Sequence, residues 1–412
     1  MEQSASPILL ACLGYASEVT KVEQLAHVSA GQWRMVADLA QQHGVAVLLY
    51  HNLKPLGLAL PNEVAEELKQ NYRQNALRNF RLYQRLGELL RLLQAKSIAV
   101  LVLKGAYLAE AVYDNIGLRT MGDVDLLVKK DDLLRVEEEL LALGCMPEEY
   151  SRVITQDDHH FPYKLPGDNL PVEVHWAILD SIYSSHIDMD GLWSRAQPVT
   201  LAQSPALALS LEDLLLFLCI HIAKHVSVMR IRMLCDVGEV VRRFGAELDW
   251  EEMGTRTRQW AKVRAVYLVL QLAQELLGVA VPADWLASLR PESFDERYLE
   301  LAREQILADY SRMEGTLLES FTLARLQESK ELGRQLALIR EGLLPSRETM
   351  ALKYPAPANS WRIYLYYPAR IQYVLLRHGA TLWRLVRGDP KTRVASERTN
   401  QVAALRDWLL SG

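Results

Sequence analysis

The sequence is short of cysteine, of long apolar runs and of basic charge, and each shortage excludes a class of protein. Its 412 residues include four cysteines that are far apart and form no Cys-x-x-Cys pair: Cys12, Cys145, Cys219 and Cys235. This spacing argues against a disulfide framework and a zinc site, and we expect buried thiols in a reducing cytoplasm. No apolar run reaches the length that spans a bilayer, and no secretion signal is predicted because no Lys or Arg precedes Lys21.

The charge and the composition are those of an ordinary globular protein. The net charge of −5 at pH 7 argues against a general nucleic-acid-binding protein, although it does not exclude a local basic patch. Half of the residues are hydrophobic and 24% are charged, so the core is ample. There is no repeat of fixed period, and the length indicates two or three domains.

One stretch in the first third of the chain combines two predicted strands with a polar loop. The apolar run Ile98–Leu103 predicts a buried strand, because it is rich in β-branched residues and stops at Lys104-Gly105. Apolar residues at helical spacing follow it. A polar loop that contains Arg119 then leads to Asp123-Val-Asp125 and directly into a second apolar strand.

The two aspartates predict a metal site. Residues two apart on a strand point to the same side, so Asp123 and Asp125 form a pair of carboxylates. The two carboxylates repel each other unless a cation lies between them. Mg²⁺ suits this place because it binds carboxylate and phosphate oxygens. The alternating segment Val172–Trp176 predicts a neighbouring strand that directs Glu173 to the same site. Paired metals held by three carboxylates commonly serve in-line displacement at phosphorus.

A lone Asp-x-Asp motif is more often a solvated turn or a helix cap, so the hypothesis depends on the whole arrangement. That arrangement resembles the bacterial family described as uncharacterised nucleotidyltransferase, within the polymerase-β-like superfamily. The resemblance is carried by Leu103-Lys-Gly105, Tyr113, Arg119, Gly122–Val128, Gly144, Val172–Trp176, His221, His225 and Asp236. The sequence departs from the superfamily at Lys104-Gly105, where a Gly-Ser or Gly-Gly pair is usual.

The resemblance implies a metal-dependent transfer of a nucleotidyl group from an NTP to an acceptor hydroxyl, with release of pyrophosphate. Asp123, Asp125 and Glu173 would hold two Mg²⁺ ions, or Mn²⁺, and Glu173 could take the acceptor's proton. Four residues would bind the nucleotide and neutralise its phosphates: Lys104, Gly105, Arg119 and Gly122. The acceptor can be a small molecule, a peptide or a protein.

Three histidines are candidates for the acceptor side or the rim of the site: His175, His160 and His225. For His159-His160 a polar surface is the simpler interpretation, because neighbouring side chains point in different directions. His221 and His225 lie four apart and share a helix face. Packing and hydrogen bonding suit this pair better than zinc, since no Glu follows the first histidine as it does in zincins.

Two other functions stay open at this point. A transferase could use a nucleoside-diphosphate sugar to modify a peptide or a sugar, because its diphosphate would bind the same metals. A non-catalytic protein could keep the fold and only sense nucleotides, although a pure binder has no need of three converging carboxylates. The mass added to an acceptor would separate the two transferases, because only the nucleotide adds phosphorus.

The predicted fold is α+β, with a small mixed sheet flanked by helices. We predict an N-terminal helical region over residues 1–95, the nucleotidyltransferase core over 96–205 and a C-terminal helical domain over 206–412. The long helix predicted from Glu63 to Ala95 buries a stripe that includes Leu77 and Phe80. Its many arginines indicate a solvated face; the alternative is that some line the acceptor cleft.

The segment 361–386 is aromatic and basic. It predicts a helix that packs on its own protein with its arginines reaching into solvent. The alternative is a segment that lies on a membrane surface or binds a partner.

Overall fold

The protein is described by a computed structural model. The described residues are 5–147, 160–165, 171–180, 183–308, 344, 347, 350, 359–368, 370–372 and 390–411. Contacts divide the chain into two compact units. The first comprises Met1–Pro147, Gln156–Asp309 and Trp408–Gly412, and the second comprises Glu148–Thr155 and Tyr310–Asp407.

The first unit contains one mixed sheet. Its strands are β1 (Val100–Val102), β2 (Val124–Val128), β3 (Met146–Pro147), β4 (His160–Lys164), β5 (Pro171–His175), β6 (Gln197–Leu201) and β7 (Ser204–Ala208). They lie in the order β3–β4–β5–β2–β1–β7–β6. β2 is parallel to β5 and antiparallel to β1, which is itself parallel to β7. Every residue of β1 and β2 is buried, as expected of central strands covered on both faces.

The N-terminal part of this unit is helical. Its helices are α1 (Ala5–Leu13), α2 (Glu18–Leu25), α3 (Ala30–Gln42), α4 (Ala46–Leu53) and α5 (Asn62–Ala95). Serine side chains cap the backbone at the start of α2 and α3, and Gln32 completes a capping box with Ser29. The apolar faces of α1, α3, α4 and α5 are buried, which stabilises these helices by packing.

The remaining described helices follow β1 along the chain. They are α6 (Lys104–Tyr107), α7 (Leu133–Ala142), α8 (Met189–Ser194), α9 (Leu211–Lys224), α10 (Ile231–Phe244), α11 (Trp250–Gln259), α12 (Val263–Leu277), α13 (Ala283–Ser288), α14 (Glu296–Ile306) and α15 (Pro390–Leu410). Asp249 caps the start of α11, because its Oδ1 accepts from the Glu252 N–H at 2.9 Å. The predicted α+β fold with flanking helices is confirmed.

The buried face of α5 differs from the prediction. Leu77 and Phe80, predicted to be buried, are 63% and 55% exposed. Asn75 and Asn79 are buried instead and donate to carbonyl groups of the loop before β2. Asn75 Nδ2 reaches the Gly117 carbonyl at 2.9 Å, and Asn79 Nδ2 reaches the Arg119 carbonyl at 2.8 Å. The helix therefore turns an amide pair, rather than an apolar stripe, towards that loop.

In the second unit, the described residues include a 3₁₀ helix over Trp361–Tyr366. Ile363 is buried there against Met350, with two tyrosines packed around them. Most of the segment 361–386 lies outside the described residues, so its predicted role stays a prediction. In the part of the chain that the structure describes, no helix combines the length and the apolar character that crossing a membrane requires.

We expect Asn79→Ala to destabilise the protein by about 1–3 kcal/mol, because it leaves buried carbonyls of the loop without their donor. The free energy of unfolding in urea measures this loss. The control is Leu77→Ala on the same helix, which should cost less than about 0.5 kcal/mol because Leu77 is exposed. A larger loss for Leu77→Ala than for Asn79→Ala would contradict the assignment of the buried face.

Candidate active site

The parallel pairing of β2 with β5 places Asp125 directly beside Glu173. In the same register, Leu127 lies beside His175. Because residues two apart on a strand point to the same side, Asp125, Glu173 and His175 all project from one face of the sheet. β5 thus lies next to β2, as the alternating sequence pattern predicts.

The side chains of Asp125, Glu173 and His175 lie close together. His175 Nε2 lies 2.9 Å from Asp125 Oδ1 and 3.3 Å from Glu173 Oε2. One oxygen or nitrogen ligand atom from each residue falls within 4.8 Å of the others. Asp125 and His175 are buried and Glu173 is half-buried. Two carboxylates and one imidazole at this spacing form a donor set that fits one divalent cation.

Asp123, in the loop immediately before β2, is not one of the three residues whose ligand atoms lie within 4.8 Å of one another. Burial raises the pKa of its carboxyl group, and the nearby charges of Asp125 and Glu173 raise it further. The carboxylates therefore repel one another at neutral pH, which a divalent cation would relieve. Asp123, Asp125 and Glu173 together offer the oxygen ligands that Mg²⁺ prefers, whereas the nitrogen of His175 suits Mn²⁺ better.

Lys104 partly neutralises this acidic cluster. Its Nζ lies 2.8 Å from Asp125 Oδ1, at the point where β1 ends and α6 begins. Burial raises the pKa of Asp125, but Lys104 and His175 lower it by more, so that it lies below its ordinary range. Lys104 has a φ of 40°, in the left-handed region, which costs a non-glycine residue about 1–2 kcal/mol.

His160 lies near Glu173, on the neighbouring strand β4. The antiparallel pairing of β4 with β5 sets His160 opposite His175, and their rings stack with centroids 4.9 Å apart. His160 Nε2 is 3.9 Å from Glu173 Oε2. The contact with His175 lowers the pKa of Glu173 by more than burial raises it, so this carboxylate is ionised at neutral pH.

The end of α9 supplies the wall next to the cluster. The rings of His221 and His225 lie 4.5 Å apart, and burial together with Lys224 and Lys104 lowers the pKa of His225 to about 4. Burial and Lys104 also hold the pKa of His221 well below its ordinary value. Both imidazoles are therefore uncharged at pH 7. Lys224 itself forms an ion pair with Asp180 at 3.1 Å.

Arg119 is directed into the protein interior. It donates from Nε and Nη2 to the two oxygens of Asp236, each at 2.8 Å, and Tyr113 donates to the same carboxylate at 3.0 Å. Gly105 permits this packing, because a Cβ there would lie 2.6 Å from Arg119 Nη1. Arg119 therefore influences Asp123 and Asp125 through its charge. Gly122, by contrast, faces open space, with no atom within 4 Å of the place for a Cβ.

Sequence reasoning missed several contacts around the site. The interruption of the apolar stripe by Asn75 and Asn79, four residues apart, was the signal that could have revealed their role. Arg232 donates from Nη1 to the Thr120 carbonyl at 2.6 Å. No local sequence pattern predicts this bond or the Lys224–Asp180 pair, because the partners are far apart in the chain.

The sequence matches one family model over most of its length. The model described as uncharacterised nucleotidyltransferase matches residues 29–278, which is more than half of the chain. This chain belongs to the uncharacterised nucleotidyltransferase family. The match extends from the start of α3 to the end of α12, so it includes the sheet and the carboxylate cluster. The protein is accordingly a transferase, as predicted.

The chain is also similar to a solved structure. The solution structure of the antibiotic-resistance factor ANT(2'')-Ia is 12% identical to this chain, with a TM-score of 0.33. The likeness covers 47% of this chain and 97% of that one. No protein with a curated description matches the sequence.

We expect Asp236→Ala to destabilise this nucleotidyltransferase by about 3–5 kcal/mol, because it leaves the buried charge of Arg119 without its partner. Unfolding in urea measures the loss. Asp38→Ala is the matched control, since it removes an exposed ion pair with Arg34 and should cost less than about 1 kcal/mol. Equal effects of the two substitutions would show that the Arg119–Asp236 pair is not a structural anchor.

Proposed function

We propose that the protein transfers a nucleotidyl group from an NTP to an acceptor hydroxyl and releases pyrophosphate. The convergence of Asp125, Glu173 and His175, with Lys104 in contact with Asp125, supports this function, because it unites metal ligands with a cation for phosphate. In the reaction, the acceptor oxygen forms a bond to the α-phosphorus while the bond from that phosphorus to the pyrophosphate oxygen breaks. The acceptor's proton leaves to a base.

The residues would hold the metals as follows. Asp125, Glu173 and Asp123 would bind two Mg²⁺ ions, or Mn²⁺, with His175 as a further ligand or as a support for the two carboxylates. Bound there, the ions would neutralise phosphate charge and make the acceptor oxygen a better nucleophile. The fit rests on the donor set and on the surroundings of Asp123, whose pKa is raised by burial and further by the charges of Asp125 and Glu173.

Glu173 is the proposed base. Its carboxylate is ionised because the contact with His175 lowers its pKa, and it is half-buried, so an acceptor can reach it. His175 also holds Glu173 in position beside Asp125. Proton acceptance by a positioned carboxylate typically contributes about 10²–10⁴-fold to the rate.

Lys104 is proposed to bind the donor's phosphates. Its ammonium already lies at the cluster, 2.8 Å from Asp125, and is only slightly exposed. Gly122 leaves open space next to Asp123 through which phosphates can approach the backbone. Arg119 would act on the phosphates through its charge over a distance, because Asp236 holds its side chain. Gly105 would contribute by leaving room for that side chain.

The expected result is a Mg²⁺-dependent rise in melting temperature with one of the four NTPs. A ligand at about 100 times its Kd stabilises the folded protein by about 2.7 kcal/mol. The rise should disappear in Asp123→Asn and in Asp125→Asn, because each removes a ligand for the metal. Asp131→Asn is the matched control, since this exposed aspartate lies beyond the other end of β2.

Once an acceptor is known, Glu173→Gln should slow transfer by about 10²–10⁴-fold while circular dichroism stays that of the wild type. Mass spectrometry of the product should then give the mass of one nucleotidyl group. A phosphorus-free added mass would mean that the donor is a sugar nucleotide. Full activity in Asp125→Asn would overturn the proposed mechanism.

A further inference from the structure

A cavity of about 440 Å³ opens next to the carboxylate cluster. It is bounded by α3, α4 and α5 on one side and by the loop before β2 and the start of α10 on the other. Its lining residues are Gln41, Gly44, Ala46, Val47, Asn71, Gln74, Asn75, Arg78, Thr120, Met121, Gly122, Arg230 and Arg232. Apart from Gly122, the proposed function assigns no role to the residues that line this space, whose volume is that of a small-molecule site.

The cavity is basic and rich in hydrogen-bonding groups. Three arginines and four amide side chains line it, and among its lining residues in the described chain none is acidic. One face of α5 contributes Asn71, Gln74, Asn75 and Arg78, which recur at helical spacing. Arginine suits phosphate and carboxylate groups, because its planar fork offers paired donors at a fixed charge.

The cavity adjoins the carboxylate cluster without including it. Gly122, which lines the cavity, is followed directly by Asp123. Arg232 is fixed to the loop by its bond to the Thr120 carbonyl. Burial lowers the pKa of Arg232, and Asp123 is among the acidic groups that oppose this, so the two charges act on each other. Lys104, Asp125, Glu173 and His175 do not line the cavity.

We propose that this cavity binds the acceptor, and that the acceptor is a small molecule with a phosphate or carboxylate group. The inference rests on the proposed function, in which the donor's triphosphate lies at the carboxylates and Lys104. In-line displacement requires the attacking oxygen opposite the leaving group, so the acceptor enters from a neighbouring space. The arginines hold its anionic group, the amides hold its polar groups, and its hydroxyl points towards Asp123.

The test begins with an anion in the absence of metal. Calorimetry with inorganic pyrophosphate in EDTA should detect binding to the wild-type protein, because without metal the carboxylates repel this probe from Lys104, whereas the arginines of the cavity attract it. Arg78→Gln should weaken the binding about tenfold. Arg73→Gln, on the same helix and exposed but outside the cavity, should leave it unchanged. No binding to the wild type, or equal binding to Arg78→Gln, would overturn the anion site.

A second measurement separates acceptor from donor. The affinity of the wild type and of Arg78→Gln for each Mg²⁺–NTP is measured by thermal shift. An acceptor cavity predicts affinities equal within about twofold. A tenfold loss for the NTP in Arg78→Gln would assign the cavity to the donor and overturn the acceptor proposal. If no NTP binds any variant, the proposed function fails and the acceptor assignment with it, whereas the pyrophosphate result still decides whether the cavity binds anions.

Discussion

The site depends on the parallel register of β2 with β5. This register sets Asp125 beside Glu173 and leaves His175 on the same face, two residues further along. A slip of one residue would turn Glu173 and His175 to the opposite face, because side chains alternate along a strand. The antiparallel pairing of β5 with β4 supports the register from the other side and adds His160 to the cluster. Two strands that are 50 residues apart at Asp125 and His175 thus bring these side chains into contact.

Buried carboxylates need positive charges nearby, and two basic side chains of this fold provide them. Lys104 lies in direct contact with Asp125. Arg119 lies further back, paired with Asp236 on α10, so that one helix of the C-terminal half is tied to the loop that delivers Asp123. α5 ties the same loop from the opposite side through Asn75 and Asn79. The loop before Asp123 is therefore held by side chains from two helices, α5 and α10.

Much of this could be predicted from sequence where the signal is local. Strand composition gave β1 and β2, alternation gave β5, and the spacing of Asp123 and Asp125 indicated a metal site. The prediction of the buried face of α5 was wrong because that face is determined by a distant partner. Leu77 and Phe80 have the right period for a buried stripe, but the loop before β2 needs hydrogen-bond donors, so Asn75 and Asn79 occupy the buried positions. The pairing of Arg119 with Asp236, 117 residues away, also has no local sequence pattern, and the predicted role of Arg119 at the phosphates stays a prediction.

Metal binding tests the central claim most directly, because it needs neither donor nor acceptor. Mn²⁺ can be titrated into the wild-type protein and into Asp125→Asn, Glu173→Gln and the control Asp131→Asn, with free Mn²⁺ followed by electron paramagnetic resonance. The cluster predicts that the wild type and Asp131→Asn bind Mn²⁺ equally and that the other two variants lose most of this binding. Unchanged binding in Asp125→Asn and Glu173→Gln would mean that these carboxylates do not hold a metal.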